Sequence, residues 1–189
     1  MVLIGITGTD GAGKGTVVDY LVQQKSFQHY HARTLFIAEI EKQGLPNDRA
    51  HMRIVANKLR AEYGNDFIVR LFLKQAGTSG DERIVIDSVR AVAEADTLKA
   101  HGGILLAVDA DQRTRYDRVQ ARRSTSDQVT FEEFQAHEEL ENNDPDPHGM
   151  QKQRVIDMAD YCIENNGTRE ELHTKIEDVL ARIEERRPN

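Results

Sequence analysis

The chain has 189 residues, of which 39% are hydrophobic and 30% are charged, with 13 glycines and only 4 prolines. This length and composition predict one folded domain rather than two, and they exclude a collagen, a coiled coil and a disulfide scaffold. The formal charge of −7 would repel a polyanion, so nucleic acid is not an expected partner.

The N-terminal residues run directly from an apolar stretch into a glycine pattern, which predicts a strand rather than a signal peptide. The longest apolar runs, such as residues 104–108, are far shorter than the roughly 20 residues that cross a bilayer. The single Cys162 cannot form an internal disulfide, and its apolar neighbours predict a buried position. We therefore expect a cytoplasmic protein with no membrane span.

Short β-branched runs alternate with helical patterns along the chain, and five of these runs have the length of strands. The predicted strands are residues 2–7, 27–32, 84–87, 104–109 and 161–164. Strands that alternate with helices favour right-handed crossovers between parallel neighbours. The fold class is therefore α/β, with a doubly wound, parallel, five-stranded sheet.

Helical patterns fill the intervals, at residues 14–24, 91–100 and 111–123 and in a closing helix whose apolar face includes Leu172, Ile176 and Val179. Residues 33–76 are predicted to form a helical insertion, broken at residues 44–46 and again at residues 63–66. A polar segment at residues 124–150, which is acidic from residue 131 to residue 146, follows the helix at 111–123. We treat the whole chain, 1–189, as one domain with this insertion.

The residues between the first strand and the first helix have the composition of a phosphate-binding loop. Glycines let the backbone turn its N–H groups towards an anion, and the helix N-terminus adds positive potential. Lysine then reaches the β- and γ-phosphates of ATP, and a threonine hydroxyl binds Mg²⁺. The residues concerned are Gly8, Asp10, Gly11, Ala12, Gly13, Lys14, Gly15 and Thr16.

The Gly-Lys-Gly-Thr ending of this loop resembles that of adenylate kinase and other nucleoside monophosphate kinases of the P-loop NTPase fold. Asp87 follows a buried strand, where a carboxylate is placed to hold Mg²⁺ through water, although it would also serve as a helix N-cap. Arg90 resembles the acceptor-phosphate arginine in the Asp-Gly-Phe-Pro-Arg segment of adenylate kinases, one residue sooner and without the proline. The resemblance also implies that Arg33 binds the acceptor phosphate.

The run from Asp117 to Arg123 resembles the Asp-Arg-x-x-x-Arg-Arg segment that precedes the adenylate kinase lid. It implies that Arg118 packs on adenine and that Arg122 contacts the phosphates, while a solvated basic helix face is the alternative. It also implies that residues 124–150 form a short lid. The segment at residues 159–168 resembles the last strand and loop of dephospho-CoA kinases, which implies adenine contacts at Asn165 and Gly167; a plain turn is equally compatible.

The insertion carries Arg49, Arg53 and Arg60 on one predicted helix face, which suits an anionic acceptor or a solvated surface. Unlike longer adenylate kinase lids, the lid-like segment has no arginine between Arg123 and Arg154. The histidines His29, His31, His137 and His148 show no metal-ligand spacing, so no zinc site is predicted.

The function implied is an ATP- and Mg²⁺-dependent transfer of the γ-phosphoryl group to a nucleoside or deoxynucleoside monophosphate. Lys14 and Arg122 would stabilise the transferring group, and Thr16 with Asp87 would hold the metal. The acceptor would contact Arg33, Arg60, Arg90 and Asp10, the last because thymidylate kinases have a similar Asp-Gly-Ala-Gly-Lys loop. The predicted partners are nucleotide substrates, and the chain would act as a monomer or homodimer.

Two alternatives remain at this stage. The first is phosphorylation of a hydroxyl, as in dephospho-CoA kinases, but that family has an aspartate after the second strand to activate the hydroxyl. This chain has His29 to Arg33 there, and a phosphate acceptor needs no such base. The second is a nucleotide-binding switch or assembly factor without efficient transfer, which would have the same loop.

Overall fold

A computed structural model describes residues 1–122, 129–142 and 144–185, except for the side chain of Arg49. Within that part of the chain, five strands form one sheet in the order β2-β3-β1-β4-β5, and every neighbouring pair is parallel. The strands are β1 (Val2–Gly8), β2 (Gln28–His31), β3 (Arg83–Asp87), β4 (Ile104–Asp109) and β5 (Tyr161–Glu164). The predicted fold class is confirmed, with strand ends within one or two residues of those expected.

Helices occupy the intervals between strands and cover both faces of the sheet, as a doubly wound topology requires. They are α1 (Lys14–Lys25), α2 (Ala32–Gln43), α3 (Arg49–Tyr63), α4 (Phe67–Ser79), α5 (Val92–Ala100), α6 (Gln112–Ala121), α7 (Phe131–Asn142), α8 (Lys152–Asp157) and α9 (Arg169–Glu185). None of the helices in the described residues is long and apolar enough to cross a membrane.

Alternating side chains of β1 supply two hydrophobic layers. Ile4 and Ile6 point to the face covered by α1 and α9, whereas Leu3 points to the face covered by α4 and α5. Each large aliphatic side chain buried in this way contributes about 1.5–3 kcal/mol relative to exposure. Both layers meet at the central strand β1, which holds the loop that follows it in a fixed position.

The insertion predicted at residues 33–76 consists of α2, α3 and α4, between β2 and β3. The predicted breaks coincide with helix ends, since Gly44 takes a left-handed conformation after α2 and Gly64 follows α3. Asp48 caps the N-terminus of α3 by accepting a hydrogen bond from the backbone N–H of His51. Local turn chemistry therefore sets the length of these helices.

The acidic segment predicted to be a lid contains α7, which lies against the protein. Phe134, Glu138 and Glu141 lie on one face of this helix and are all buried. Glu138 pairs with Arg115 of α6, and Glu141 pairs with Lys152 of α8. These glutamates are therefore structural partners of buried cations rather than part of a solvated acidic face. Residues 124–128 and 143 of the predicted lid, and Arg123 before it, lie outside the described residues.

The prediction that Cys162 is buried is wrong. β5 is an edge strand whose neighbour on one side is β4, and its side chains alternate between a covered and an open face. Ile163 is 2% exposed on the covered side, whereas Cys162 is exposed. Partial desolvation and the charges of Asp109 and Glu164 raise the pKa of the Cys162 thiol. This thiol is thus no activated nucleophile.

Candidate nucleotide-binding and phosphotransfer site

The loop between β1 and α1 has the backbone of an anion cradle. Gly11 and Gly13 both have positive φ, at 82° and 103°, which side chains rarely adopt. A Cβ at position 11 would collide with the carbonyl oxygen of Arg115, and one at position 13 with the side-chain amide of Asn165. The loop is therefore held closely against α6 and against the segment after β5, and only glycine fits at either contact.

Lys14 folds back over this loop. Its Nζ donates to the carbonyl oxygens of Gly8 and Thr9, at 3.0 and 2.7 Å, and lies 3.6 Å from Oδ1 of Asp10. Burial lowers the pKa of Lys14 to about 8, against the opposing effect of Asp10. A bound phosphate would supply the negative charge that this buried ammonium lacks.

A cavity of about 290 Å³ opens beside the loop. Arg118 donates to the carbonyl oxygen of Asn165 at 2.8 Å, and the Asn165 amide donates to the carbonyl oxygen of Ala12 at 2.7 Å. The backbone after β5 is thereby tied to the loop. The structure brings the predicted nucleotide contacts together around this nucleotide cavity, which is lined by Gly13, Thr16, Arg118, Arg122, Asn165 and Gly167.

Three cations, one of them Lys14, surround one carboxylate oxygen. Oδ1 of Asp10 lies 3.6 Å from Lys14 Nζ, 3.7 Å from Lys152 Nζ and 4.0 Å from Arg90 Nη2. A second carboxylate, Glu141, lies 2.7 Å from Lys152 Nζ and 3.5 Å from Arg90 Nη1. We call Asp10, Arg90, Glu141 and Lys152 the ion-pair cluster. With Lys14 included, three positive charges face two negative ones.

Lys152 was not predicted from the sequence to belong to the functional site. Its side chain is fully buried, although lysine is almost never buried without a partner. Lys152 is the first residue of α8, and Gln151 just before it donates its backbone N–H to the carbonyl oxygen of Arg90. An isolated lysine after an acidic segment gives no local signal, because its partners are 11 or more residues away.

The arginines predicted to bind the acceptor have different surroundings. Arg33 is exposed in the first turn of α2. Arg60 is 2% exposed, and its Nε and Nη2 both donate to Oε1 of Glu94, at 3.2 and 3.1 Å. Glu94 in turn accepts from the backbone N–H groups of Arg90 and Ala91. Arg60 was predicted to contact the acceptor, but its side chain is buried against Glu94, which positions the backbone of Arg90.

The predicted arginine stripe of α3 does not form one anion site in the described residues. Arg53 lies 3.3 Å from Oδ2 of Asp144, which is almost fully buried. These two residues line a second cavity of about 390 Å³, together with Asn57, Lys58, Asp146 and His148. None of the residues that line this second cavity belongs to the phosphate-binding loop. We therefore assign phosphoryl transfer to the loop and not to this cavity. The side chain of Arg49 lies outside the described residues.

Asp87 ends β3 beside the loop, and its charge is felt by Lys14. Burial opposes ionisation of Asp87, but contacts with His29, His31 and the Ser88 hydroxyl outweigh it and hold the pKa of Asp87 below its ordinary value. Ser88 has φ of 67°, a strained conformation where the adenylate kinase segment has glycine. This turn brings Arg90 to the ion-pair cluster despite the shorter segment.

The oxygen donors that the sequence assigned to Mg²⁺ fit that ion in kind. Mg²⁺ prefers hydroxyl, carboxylate and water oxygens, and Thr16 lines the nucleotide cavity while Asp87 presents an ionised carboxylate at the edge of the sheet. A nearby carboxylate, Asp109, accepts from the Thr9 hydroxyl and the Ala110 backbone N–H. Through Thr9, Asp109 therefore stabilises the phosphate-binding loop.

The histidine spacing in the sequence predicted no metal site, but two histidines meet an aspartate in the folded chain. His29 and His31 of β2 lie beside Asp87 of β3, and one ligating atom from each is within 4.8 Å of the others. Burial lowers the pKa of His31. The two strands are 52 or more residues apart in sequence, so only the parallel pairing reveals this group.

Three known proteins match this chain over almost its whole length, one by sequence and two by structure. The UPF0200 protein TK1334 of Thermococcus kodakarensis is 28% identical over 187 residues, covering 96% of this chain and 97% of that protein. The protein TT1252 from Thermus thermophilus superposes with a TM-score of 0.63 at 23% identity, covering 96% and 97% of the two chains. Shikimate kinase from Bacteroides thetaiotaomicron superposes with a TM-score of 0.60 at 14% identity, covering 95% and 98%.

These superpositions show the fold alone, which is that of the P-loop kinases. Proteins with this fold generally bind ATP with Mg²⁺. The family match is more direct, because the AAA domain family matches residues 4–147, from β1 through the phosphate-binding loop and Asp87 to α7. The chain therefore belongs to the AAA domain family, within the superfamily of P-loop kinase-like nucleoside triphosphatases.

Proposed function

We propose that this chain is an ATP- and Mg²⁺-dependent phosphotransferase whose acceptor is a nucleoside or deoxynucleoside monophosphate. ATP would lie with its phosphates in the loop and its base in the nucleotide cavity beside Arg118 and Asn165. In the transfer, an acceptor phosphate oxygen forms a bond to the γ-phosphorus while the bond to the β–γ bridging oxygen breaks, and ADP leaves.

The observation that carries this proposal is the ion-pair cluster next to Lys14. Arg90 and Lys152 are paired with Asp10 and Glu141. A phosphate monoester carries up to two negative charges and several acceptor oxygens, so it can replace Glu141 as the partner of Arg90. Lys14, within reach of the same Asp10 oxygen, would then lie between the two phosphates that exchange the γ-phosphoryl group.

In this mechanism the chain mainly positions groups and neutralises charge. Lys14 and Arg122 would contact the transferring group, and Arg90 would orient the acceptor. Thr16 and Asp87 would hold Mg²⁺, which neutralises charge on the phosphates when bound. Glu94, fixed by Arg60, would keep the Arg90 backbone in place. Arg33 is an exposed further contact for the acceptor.

A hydroxyl acceptor is the second candidate, and two observations favour it. One structural neighbour is by its name a kinase of shikimate. The side chain of His31, at the end of β2, lies 3.5 Å from Asp87, and in dephospho-CoA kinases a base for the hydroxyl follows the second strand. Turnover decides between the two acceptors.

The test is a panel of ribo- and deoxyribonucleoside monophosphates, dephospho-CoA and shikimate, each incubated with the protein, ATP and Mg²⁺. ADP is followed by a coupled assay, and the phosphorylated product is identified by mass spectrometry. Lys14→Ala is the blank for contaminating kinases. Turnover of a monophosphate supports the proposal, and turnover of a hydroxyl acceptor alone replaces it with the second candidate. ATP binding without acceptor-dependent ADP indicates a nucleotide switch instead.

A further inference from the structure

Three side chains with metal-binding chemistry meet at the carboxyl ends of β2 and β3. His31 is the register partner of Asp87 in the parallel pairing of these strands, and His29, two residues earlier, lies on the same face. Their Nε2 atoms lie 3.8 Å (His29) and 3.5 Å (His31) from the same oxygen, Oδ2 of Asp87. The two imidazole rings are stacked, with centroids 5.2 Å apart.

The two distances from imidazole nitrogen to carboxylate oxygen are longer than those of hydrogen bonds. They are close to the distances between two atoms that bind the same metal ion. A nitrogen or oxygen donor hydrogen-bonds at about 2.7–3.2 Å. Ligands placed about 2.1 Å from a common metal are about 3.0–3.4 Å apart. The His31 to Asp87 distance of 3.5 Å is near that range, and the His29 to Asp87 distance of 3.8 Å enters it after a shift of a few tenths of an ångström. All three ligating atoms lie within 4.8 Å of one another, so binding of one ion also draws the two imidazoles together, and this is the shift that the rings must make. Both histidines are about one-third exposed, so their rings are free to make it.

The packing of the sheet does not account for this arrangement. His29 and His31 are absent from the buried core, although Val85, the register partner of His29 on β3, is fully buried. The Ser88 hydroxyl donates to Oδ1 of Asp87, which leaves Oδ2 facing the two histidines. Two imidazole nitrogens and one carboxylate oxygen therefore converge on a space that opens to solvent beside the phosphate-binding loop.

We propose that His29, His31 and Asp87 form a binding site for one divalent transition-metal ion, such as Zn²⁺ or Co²⁺. Imidazole nitrogen is a preferred ligand of these ions, whereas Mg²⁺ selects oxygen. Three protein ligands leave at least one coordination position for water or for an oxygen of a bound substrate. The site shares Asp87 with the proposed Mg²⁺ ligands, but its two imidazole nitrogens select a different class of ion, and its test needs neither nucleotide nor acceptor.

The test is metal binding by the nucleotide-free chain, prepared without a histidine tag and stripped with a chelator. Co²⁺ is titrated and followed by its visible absorption bands, and Zn²⁺ is titrated by calorimetry. We expect one ion per chain. His29→Ala and His31→Ala should each weaken binding by about 100-fold, because each removes a direct ligand. Asp87→Asn should also weaken it, and thermal melts establish that each variant is folded.

The matched control is His51→Ala. His51 also contacts an aspartate, Asp48, at 2.8 Å, but without a second histidine in the described structure around it. Its removal should leave the affinity for Co²⁺ and Zn²⁺ unchanged, and millimolar Mg²⁺ should not displace Co²⁺. Binding that survives in the His29→Ala/His31→Ala double variant would overturn the proposal. So would equal loss in His51→Ala, displacement by Mg²⁺, or no stoichiometric binding by the wild type.

Discussion

The nucleotide cavity and the ion-pair cluster both include residues of the phosphate-binding loop, but they are organised by different interactions. The cavity is shaped by backbone: Gly13 fits under Asn165, and the carbonyl oxygens of Asn165 and Ala12 are each already hydrogen-bonded. The ion-pair cluster is shaped by charge, because Arg90 and Lys152 are satisfied by carboxylates of the chain itself. The nucleotide cavity is open to a ligand, whereas the ion-pair cluster must release one of its own carboxylates before Arg90 or Lys152 can bind a ligand.

This difference has an energetic consequence. A ligand in the nucleotide cavity meets preformed donors and loses little to reorganisation. A ligand at the cluster competes with Glu141, and the affinity it shows is reduced by the free energy of that displaced pair. We therefore expect changes in the loop to act mainly on catalysis and ATP, and changes in the cluster to act on stability and on the acceptor.

The largest effect is expected from Lys14→Ala, which should lower kcat by about 10³-fold because it removes a charge that stabilises the transferring group. The variant should remain folded, since Lys14 contacts loop carbonyls rather than the core. The measurements are acceptor-dependent ADP formation and a thermal melt. Lys25→Ala is the matched control on the same helix, because Lys25 pairs with Glu177. Wild-type turnover in the Lys14 variant would contradict the mechanism.

Lys152→Met should lower the free energy of unfolding by about 3 kcal/mol, because it leaves the buried Glu141 without its closest cation. Urea denaturation measures this loss. Adding Glu141→Gln to Lys152→Met should restore most of the stability, since the buried charge is then removed with its partner. Additive losses in the double variant would show that the two residues are not coupled.

Arg90→Ala should raise the acceptor KM by about 30-fold and leave the ATP KM nearly unchanged, because a charged hydrogen bond to the acceptor is lost. Glu141→Gln should lower the acceptor KM, since it removes the group that competes for Arg90. Arg113→Ala is the control, because Arg113 is exposed and pairs with Asp117. Equal changes in both KM values would remove Arg90 from the acceptor side.

The fold and the loop could be predicted because their signals are local. A buried strand, a glycine pattern, Lys14 and Thr16 stand within 16 residues of the N-terminus, and glycines mark the ends of α2, α3 and α4. The nucleotide contacts Arg118 and Asn165 were suggested by resemblance to known kinases, and the structure places them around one cavity. They remain predictions as ligand contacts.

The rest could not be predicted, because it depends on pairings between distant segments. Arg60 looks like a basic surface residue in its helix pattern, yet its partner Glu94 is 34 residues away. Lys152 and the histidine cluster have the same difficulty, since burial and strand pairing decide what each side chain contacts. A charge pattern reveals the residue type but not whether its partner is a ligand or another part of the chain.

Substitutions at two glycines of the phosphate-binding loop should have the smallest effects, and they distinguish a role in packing from a role in ATP binding. Gly15 has no atom within 4 Å of a built Cβ, so Gly15→Ala should keep the protein folded and stabilise it by up to about 1 kcal/mol through helix propensity. The same methyl group would lie where backbone N–H groups approach the phosphates, and we expect the ATP KM to rise about tenfold. Calorimetric melts and initial rates measure the two effects separately.

Gly13→Ala provides the contrast. Position 13 has positive φ and contacts Asn165, so the substitution should lower the free energy of unfolding by about 1–3 kcal/mol even without ATP. The two variants thus separate a glycine required by the protein's own packing from one required by the ligand. An unchanged ATP KM in Gly15→Ala would mean that the phosphates do not approach the start of α1. The nucleotide would then have to bind on the side of the ion-pair cluster.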